Sequence, residues 1–192
     1  MKSIKELEFI KEIDLLKKIE RQTCILSGGR NENSAEHSWH LACSVFVFKE
    51  YSKNSINLEK ALLLALFHDI VEIDGGDTFV YDDQSNKADI EAKTLERLVA
   101  LLPTKTSGEI KALWIEYEDN QTHEAQFVNA LDRFLPILAN YLSYGYSWKK
   151  HNIKSSQVID RNKAKIMLGL PILWPVVEEI MRHGIENGYL SP

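Results

Sequence analysis

His68, Asp69 and Glu72 interrupt the end of a stretch, Ala61 to Val71, that is otherwise apolar on nearly every side. An unpaired carboxylate in such a setting costs several kcal/mol, about the scale of the whole stability margin of a small domain, so something must compensate Asp69. Read as one helix, the spacings of four and three place all three polar groups on one face. A lone buried histidine is more often a hydrogen-bonded core residue than a ligand. Asp69, in mid-helix, cannot serve as a cap, which moves the pair toward metal binding. A structural salt-bridge network accounts for the cluster about as well as a metal site does, and donors from other elements decide between them.

Two further residues offer such donors. His37 shares a helical line with Leu41, Val45 and Phe48, so its ring faces packed apolar surface; the plain reading is a core histidine. His40, three residues on, makes a His-x-x-His pair that is by itself a weak metal signal, and it is read as a structural or supporting residue. Asp132 flanks an apolar stripe of Phe127, Ala130, Leu131, Phe134, Leu135 and Leu138, with a surface ion pair as its plain reading. Arg133 is expected to face elsewhere, which favours a long-range partner for Asp132.

The elements that must position these residues are helical. Ile4 to Ile19 reads as an amphipathic first helix. Gly28-Gly29 breaks the chain, and Asn33 with Glu36 three residues later predicts a capping box for a second helix running to about Tyr51. Asn57 caps a third, central helix through Val71, ended by Asp74-Gly75-Gly76-Asp77, which sets Asp77 in a tight loop. Further helices are predicted over Asn86 to Leu102, Ser107 to Glu118, Thr122 to Leu142, Ser155 to Leu168 and Ile172 to Glu186, with no strand series. The expected fold is all-α, one multi-helix bundle.

The 192 residues suit a single domain, 1–192, able to bury a sizeable core. The 23 basic and 28 acidic side chains leave a net charge of −5 and form no basic stripe, which argues against a nucleic-acid polymer or an anionic membrane as partner. A small phosphate compound remains compatible. Cys24 and Cys43 form no CxxC pattern and read as two buried thiols rather than a disulfide or thiolate site. No apolar run approaches membrane-spanning length, and the expected compartment is the cytoplasm.

His37, then His68-Asp69, then Asp132, each on a different predicted helix, resembles the H…HD…D signature of the HD-domain metal-dependent phosphohydrolases. Glu36-His37-Ser38, the run His68-Asp69-Ile70-Val71-Glu72-Ile73-Asp74-Gly75-Gly76-Asp77 and Leu131-Asp132-Arg133 are similar to the 5′-deoxynucleotidase branch. The similarity covers roughly 15–142, with the helices at 155–187 expected to pack on that core. The resemblance implies His37, His68, Asp69 and Asp132 as ligands of one divalent ion, Mn²⁺, Co²⁺, Fe²⁺, Zn²⁺ or Mg²⁺. It implies Glu72, with Asp69, in catalysis and Arg21 and Asp77 in contact with substrate. Two imidazoles and two carboxylates suit such an ion, and a guanidinium fork suits phosphate oxygens, with Arg30 and Lys87 as weaker alternatives.

The implied reaction is hydrolysis of a (deoxy)ribonucleoside 5′-monophosphate to nucleoside and phosphate. The alternatives are another small phosphate ester or nucleotide as substrate, or a non-catalytic nucleotide or metal sensor. A di-iron oxygenase would need histidine ligands that the pattern does not supply. One departure bears on sugar preference: deoxyribose-selective members carry a tryptophan after the arginine, and here Gln22 follows Arg21. Glutamine can hydrogen-bond to a 2′-hydroxyl that an aromatic ring would exclude. Family likeness, with Trp148 and Trp174 as candidate surface aromatics, makes a homodimer the expected assembly.

Overall fold

The capping box forms as the sequence predicts: the Glu36 backbone N–H donates to Asn33 Oδ1 at 3.0 Å, and the Asn33 N–H donates to Glu36 Oε2 at 3.2 Å. The reciprocal pair satisfies amides that a helix start would leave orphaned, and it fixes where the helix begins. The protein is described here by a computed structural model, which covers residues 4–77, 81 and 87–192.

Ten α-helices occur among the described residues: α1 Glu6–Ile13, α2 Ser34–Phe48, α3 Leu58–Phe67, α4 Glu72–Gly75, α5 Lys87–Val99, α6 Thr104–Asp119, α7 His123–Leu142, α8 Tyr146–Lys150, α9 Ser155–Gly169 and α10 Trp174–Glu186. The fold is all-α. α7 is the centre of it, with Phe127, Val128, Ala130 and Leu131 wholly buried, and α2, α3, α6, α9 and α10 pack around it. α7 and α9 approach so closely that a Cβ on Gly169 would lie 1.8 Å from the Gln126 carbonyl oxygen, which only glycine permits. A second apolar cluster joins Phe9, Leu16, Leu95 and Leu98 to Ile70 and Val71, and so clamps the short link between α3 and α4.

The structure departs from the sequence expectations in several places. The first helix does not run to Ile19: it tightens into a 3-10 turn at Asp14–Lys18 and gives way to strand β1, Glu20–Cys24, paired antiparallel with β2, Asn31–Asn33. Periodicity missed this two-stranded sheet because its strands are short and polar, held by backbone pairing across the Gly28-Gly29 turn rather than by an apolar face. α3 ends at Phe67, so His68 is its C-cap and Asp69 lies in the turn that follows, not in mid-helix. The fourth expected helix begins at Lys87; Asn86 and the Thr78 end of the Asp77 turn lie outside the described residues. Cys43 is exposed, unlike Cys24. Trp148 and Trp174 are buried, with the Trp174 indole N–H donating to Glu178, so neither offers a surface for a partner. No helix among the described residues is long and apolar enough to cross a membrane.

Candidate metal centre

Three elements deliver four side-chain donors to one point. His37 enters from the first turn of α2, His68 and Asp69 from the C-terminal end of α3 and its turn, and Asp132 from the middle of α7. His37 Nε2 lies 3.0 Å from Asp132 Oδ1 and 3.9 Å from Asp69 Oδ2. His68 Nε2 lies 3.1 Å from Asp69 Oδ2 and 3.9 Å from Asp132 Oδ1. The donor atoms of His37, His68 and Asp69 all fall within 4.8 Å of one another, and both rings are almost completely buried.

The wiring around these atoms turns the right nitrogens inward. His68 Nδ1–H donates to the Ala65 carbonyl at 3.0 Å, which leaves its buried Nε2 as the lone-pair atom with no hydrogen-bond partner. Glu32 on β2 sits 3.5 Å from His37 Nδ1, on the far side of that ring from Asp132. Asp132 divides its oxygens: Oδ1 faces the histidines, while Oδ2 accepts a 2.8 Å hydrogen bond from the buried Tyr117 hydroxyl of α6. An orphaned buried imidazole nitrogen among two carboxylates and a second imidazole is the donor chemistry a divalent ion fits, and outer partners of this kind orient ligands and tune their basicity.

Charge at the site is unevenly held. Burial and the Arg21 charge push the His37 imidazolium down, but bonding to Asp132 and Glu32 outweighs them and raises its pKa to about 9. Burial pushes the Asp69 carboxyl up, and the neighbouring histidines and Arg21 overcome it, leaving Asp69 below the usual carboxylate range. Glu72 goes the other way: burial, then the nearby Asp69 charge, hold its carboxyl well above the ordinary value. Tyr117 is likewise pushed well up by burial and by Asp132, so it stays a phenol donor.

Each residue singled out in the sequence has a definite place. Arg21 projects from β1, donating from Nη1 to Asp69 Oδ2 at 2.9 Å, with Asp77 Oδ1 at 3.7 Å and Glu72 Oε1 at 3.9 Å. Glu72 opens α4 rather than continuing α3, and its Oε2 accepts from Ser34 Oγ at 2.6 Å. Asp77 follows Gly76, whose φ of +74° supplies the left-handed step that turns the chain back to the site. Arg30 is drawn off to Glu36 at 2.6 Å, and His40 stands aside with Nδ1 3.9 Å from Glu32. Lys87 does line the pocket. Arg133 does so too, with Nε 3.9 Å from Asp132 Oδ2, contrary to the expectation that it faces elsewhere.

Sequence reasoning missed Tyr117, Glu32 and Ser34. Tyr117 carries no motif, and its contact with Asp132 exists only because α6 packs on α7; Glu32 was hidden by the missed sheet, and Ser34, at the start of α2, meets Glu72 only through tertiary packing. His68, Asp69, Glu72, Asp132 and Tyr117 line a cavity of about 330 Å³ that also reaches Gln22, Trp148 and α9.

The HD domain family profile matches residues 13–174. The chain belongs to the HD domain family. Within it, the chain is 39% identical to a protein of known crystal structure described as a predicted metal-dependent phosphohydrolase from Magnetospirillum magnetotacticum MS-1, covering 98% of this chain and 95% of that one with a TM-score of 0.93. It is 30% identical over 135 residues to a 5′-deoxynucleotidase of Homo sapiens, a match that takes in 69% of this chain and 65% of the human protein. A 5′-deoxynucleotidase of Danio rerio is 28% identical over 185 residues, 95% of this chain and 91% of that protein. This HD domain chain therefore has relatives on both sides of the question, by fold and by sequence.

Proposed function

We propose that this protein is a metal-dependent phosphohydrolase that releases phosphate from nucleoside 5′-monophosphates, with the described chain working as one domain. The observation that carries the reading is the convergence of His37, His68, Asp69 and Asp132 around the orphaned His68 Nε2. The names borne by the bacterial, human and zebrafish relatives support it.

In this reading the four donors hold one divalent ion. The ion would polarise the phosphoryl group and acidify a water. Arg21 would bind phosphate oxygens; its buried Nε–H makes no hydrogen bond, with Glu32 Oε2 3.7 Å away. Glu72, kept protonatable by burial and steadied by Ser34, would accept a proton from the attacking water or return one to the leaving alcohol. Asp77 would accept from a sugar hydroxyl. Gln22 Oε1 is occupied by Lys150 Nζ at 3.0 Å and His151 Nε2 at 3.2 Å, which leaves the amide NH₂ as the end that can donate to a ribose hydroxyl. The cavity volume is at the lower end of the range that small-molecule sites occupy, about 300–1,000 Å³.

The test is phosphate release from ribo- and deoxynucleoside 5′-monophosphates by chelator-stripped protein with Mn²⁺, Co²⁺ or Mg²⁺ restored, with Asp69→Asn alongside. Metal-dependent release that the variant loses is the expected result. Metal bound in full with no release from any nucleotide would overturn the assignment.

A further inference from the structure

The cavity has a second charged pole that the proposed hydrolysis of a monophosphate does not use. On its α7–α9 wall stand Arg133, Arg161 and Lys165. Arg161 and Lys165 are four residues apart on α9 and so share a face. Among the described residues, Arg161 makes no hydrogen bond or ion pair, and Lys165 bonds only to a neutral partner, donating from Nζ to Asn129 Oδ1 at 2.8 Å. Among the described residues, Arg133 approaches no carboxylate closer than 3.9 Å, and its buried Nε–H has no hydrogen-bond partner. Lys87, the other cation of this region, is already matched by Glu91 at 3.5 Å.

The charge count is therefore lopsided. Among the described residues, three cations line the cavity here, with Glu118 as the carboxylate left to balance them, since Asp132 is turned to His37 and Tyr117. Burial and then the Arg133 charge push the Lys165 ammonium below its ordinary value, outweighing Asp132 and Glu118, as expected where like charges are gathered in a concavity. In a chain whose net charge is −5, such a wall is not a general basic surface. Clustered cations in a concavity are the means by which proteins hold phosphate, with arginine preferred where the oxygens are gripped in pairs. In the reading above the scissile phosphate would be met by another cation, Arg21 of β1, beside Asp69.

We propose that Arg133, Arg161 and Lys165 form a subsite for a second phosphate, so that the preferred substrate is a nucleotide carrying a phosphate in addition to the one hydrolysed. The proposal rests on the phosphohydrolase reading above. The second phosphate belongs either to the sugar, as in a 3′,5′-bisphosphate, or to the 5′ chain, as in a diphosphate.

The test compares kcat/KM for 2′-deoxyadenosine 5′-monophosphate, its 3′,5′-bisphosphate and its 5′-diphosphate, using metal-restored wild type, Arg161→Gln/Lys165→Gln and Lys165→Arg. Calorimetric binding of the bisphosphate and diphosphate to chelator-stripped protein runs in parallel. A preference of at least about tenfold for one doubly phosphorylated nucleotide is expected, from the strength of hydrogen bonds to charged groups. It should fall toward unity in the double variant, survive in Lys165→Arg and weaken with salt. Which compound wins identifies where the second phosphate sits. Monophosphate turnover with no such preference, and equal binding by wild type and double variant, would overturn the subsite and leave the hydrolase standing. No turnover of any nucleotide, with doubly phosphorylated ligands bound by wild type and lost in the double variant, would uphold the subsite and remove the hydrolase reading.

Discussion

Asp132 shows how one side chain is asked to serve two neighbours. Its Oδ1 stands 3.0 Å from His37 Nε2, and its Oδ2 is held by the Tyr117 hydroxyl at 2.8 Å. Removing that hydroxyl leaves a buried carboxylate oxygen unsatisfied and the carboxylate free to rotate. Tyr117→Phe should thus weaken Mn²⁺ binding by about tenfold or more, the usual cost of losing a partner behind a ligand; a calorimetric titration giving the wild-type Kd would show that the hydroxyl orients nothing. His37 supplies a second prediction. Its pKa is raised to about 9, so its proton is held more tightly than in a free imidazole, and an ion must displace it. Below about pH 9, Mn²⁺ affinity should fall as pH falls, by up to about tenfold per unit, with protons released on binding; affinities that are flat from about pH 7 to about pH 9 would contradict the coupling. Gln22 was legible in the sequence as a departure, but its fixed orientation was not, because Lys150 and His151 reach it from 128 and 129 residues away. Gln22→Trp should shift turnover toward deoxyribonucleotides, read as the ratio of deoxy- to ribonucleotide kcat/KM.

At the scale of elements, what sets the site is where helices start and stop. The capping box was readable from Asn33 and Glu36 alone, since two side chains three residues apart suffice to make it. It carries His37 at a fixed place in the first turn of α2. Asn33→Ala removes the acceptor for the Glu36 amide and should cost about 1 kcal/mol of stability by urea unfolding, with His37 displaced from Asp132. The end of α3 was less legible. Apolar residues continue through Val71, and nothing in the periodicity says that the helix stops at Phe67; Ile70 and Val71 turn instead into the cluster around Leu95 and Leu98. The sheet was illegible for a related reason, its strands being too short and too polar to show a period of two. The contact of α7 with α9 has its own test. Gly169→Ala would drive a Cβ into the Gln126 backbone, and should destabilise by about 1–3 kcal/mol or more while leaving every proposed ligand in place. An unchanged unfolding midpoint would mean that the two helices can slide apart freely.

Across the whole molecule, the proposed ion would tie together segments that are distant in sequence. His37 and Asp132 are 95 residues apart, and each lies on a helix packed into the main core. In the unfolded chain these donors are dispersed, so the ion binds the folded state almost alone and stabilises it by mass action. At a free concentration of 100 times Kd the gain is about 2.7 kcal/mol. For a chain of this length each kcal/mol moves Tm by roughly 2–4 °C, which predicts a rise of about 5–10 °C when Mn²⁺ is restored to chelator-stripped protein. Asp132→Asn should lose most of that rise, because it removes a proposed ligand that would bridge the core helix to the other two elements. The same variant leaves Asp69 and Glu72 each paired with Arg21, so its own baseline Tm should fall much less than its metal response. A wild-type Tm indifferent to Mn²⁺, Co²⁺ and Mg²⁺ alike would instead mean that the cluster is an ion-pair network complete in itself, the reading that composition and spacing alone left open.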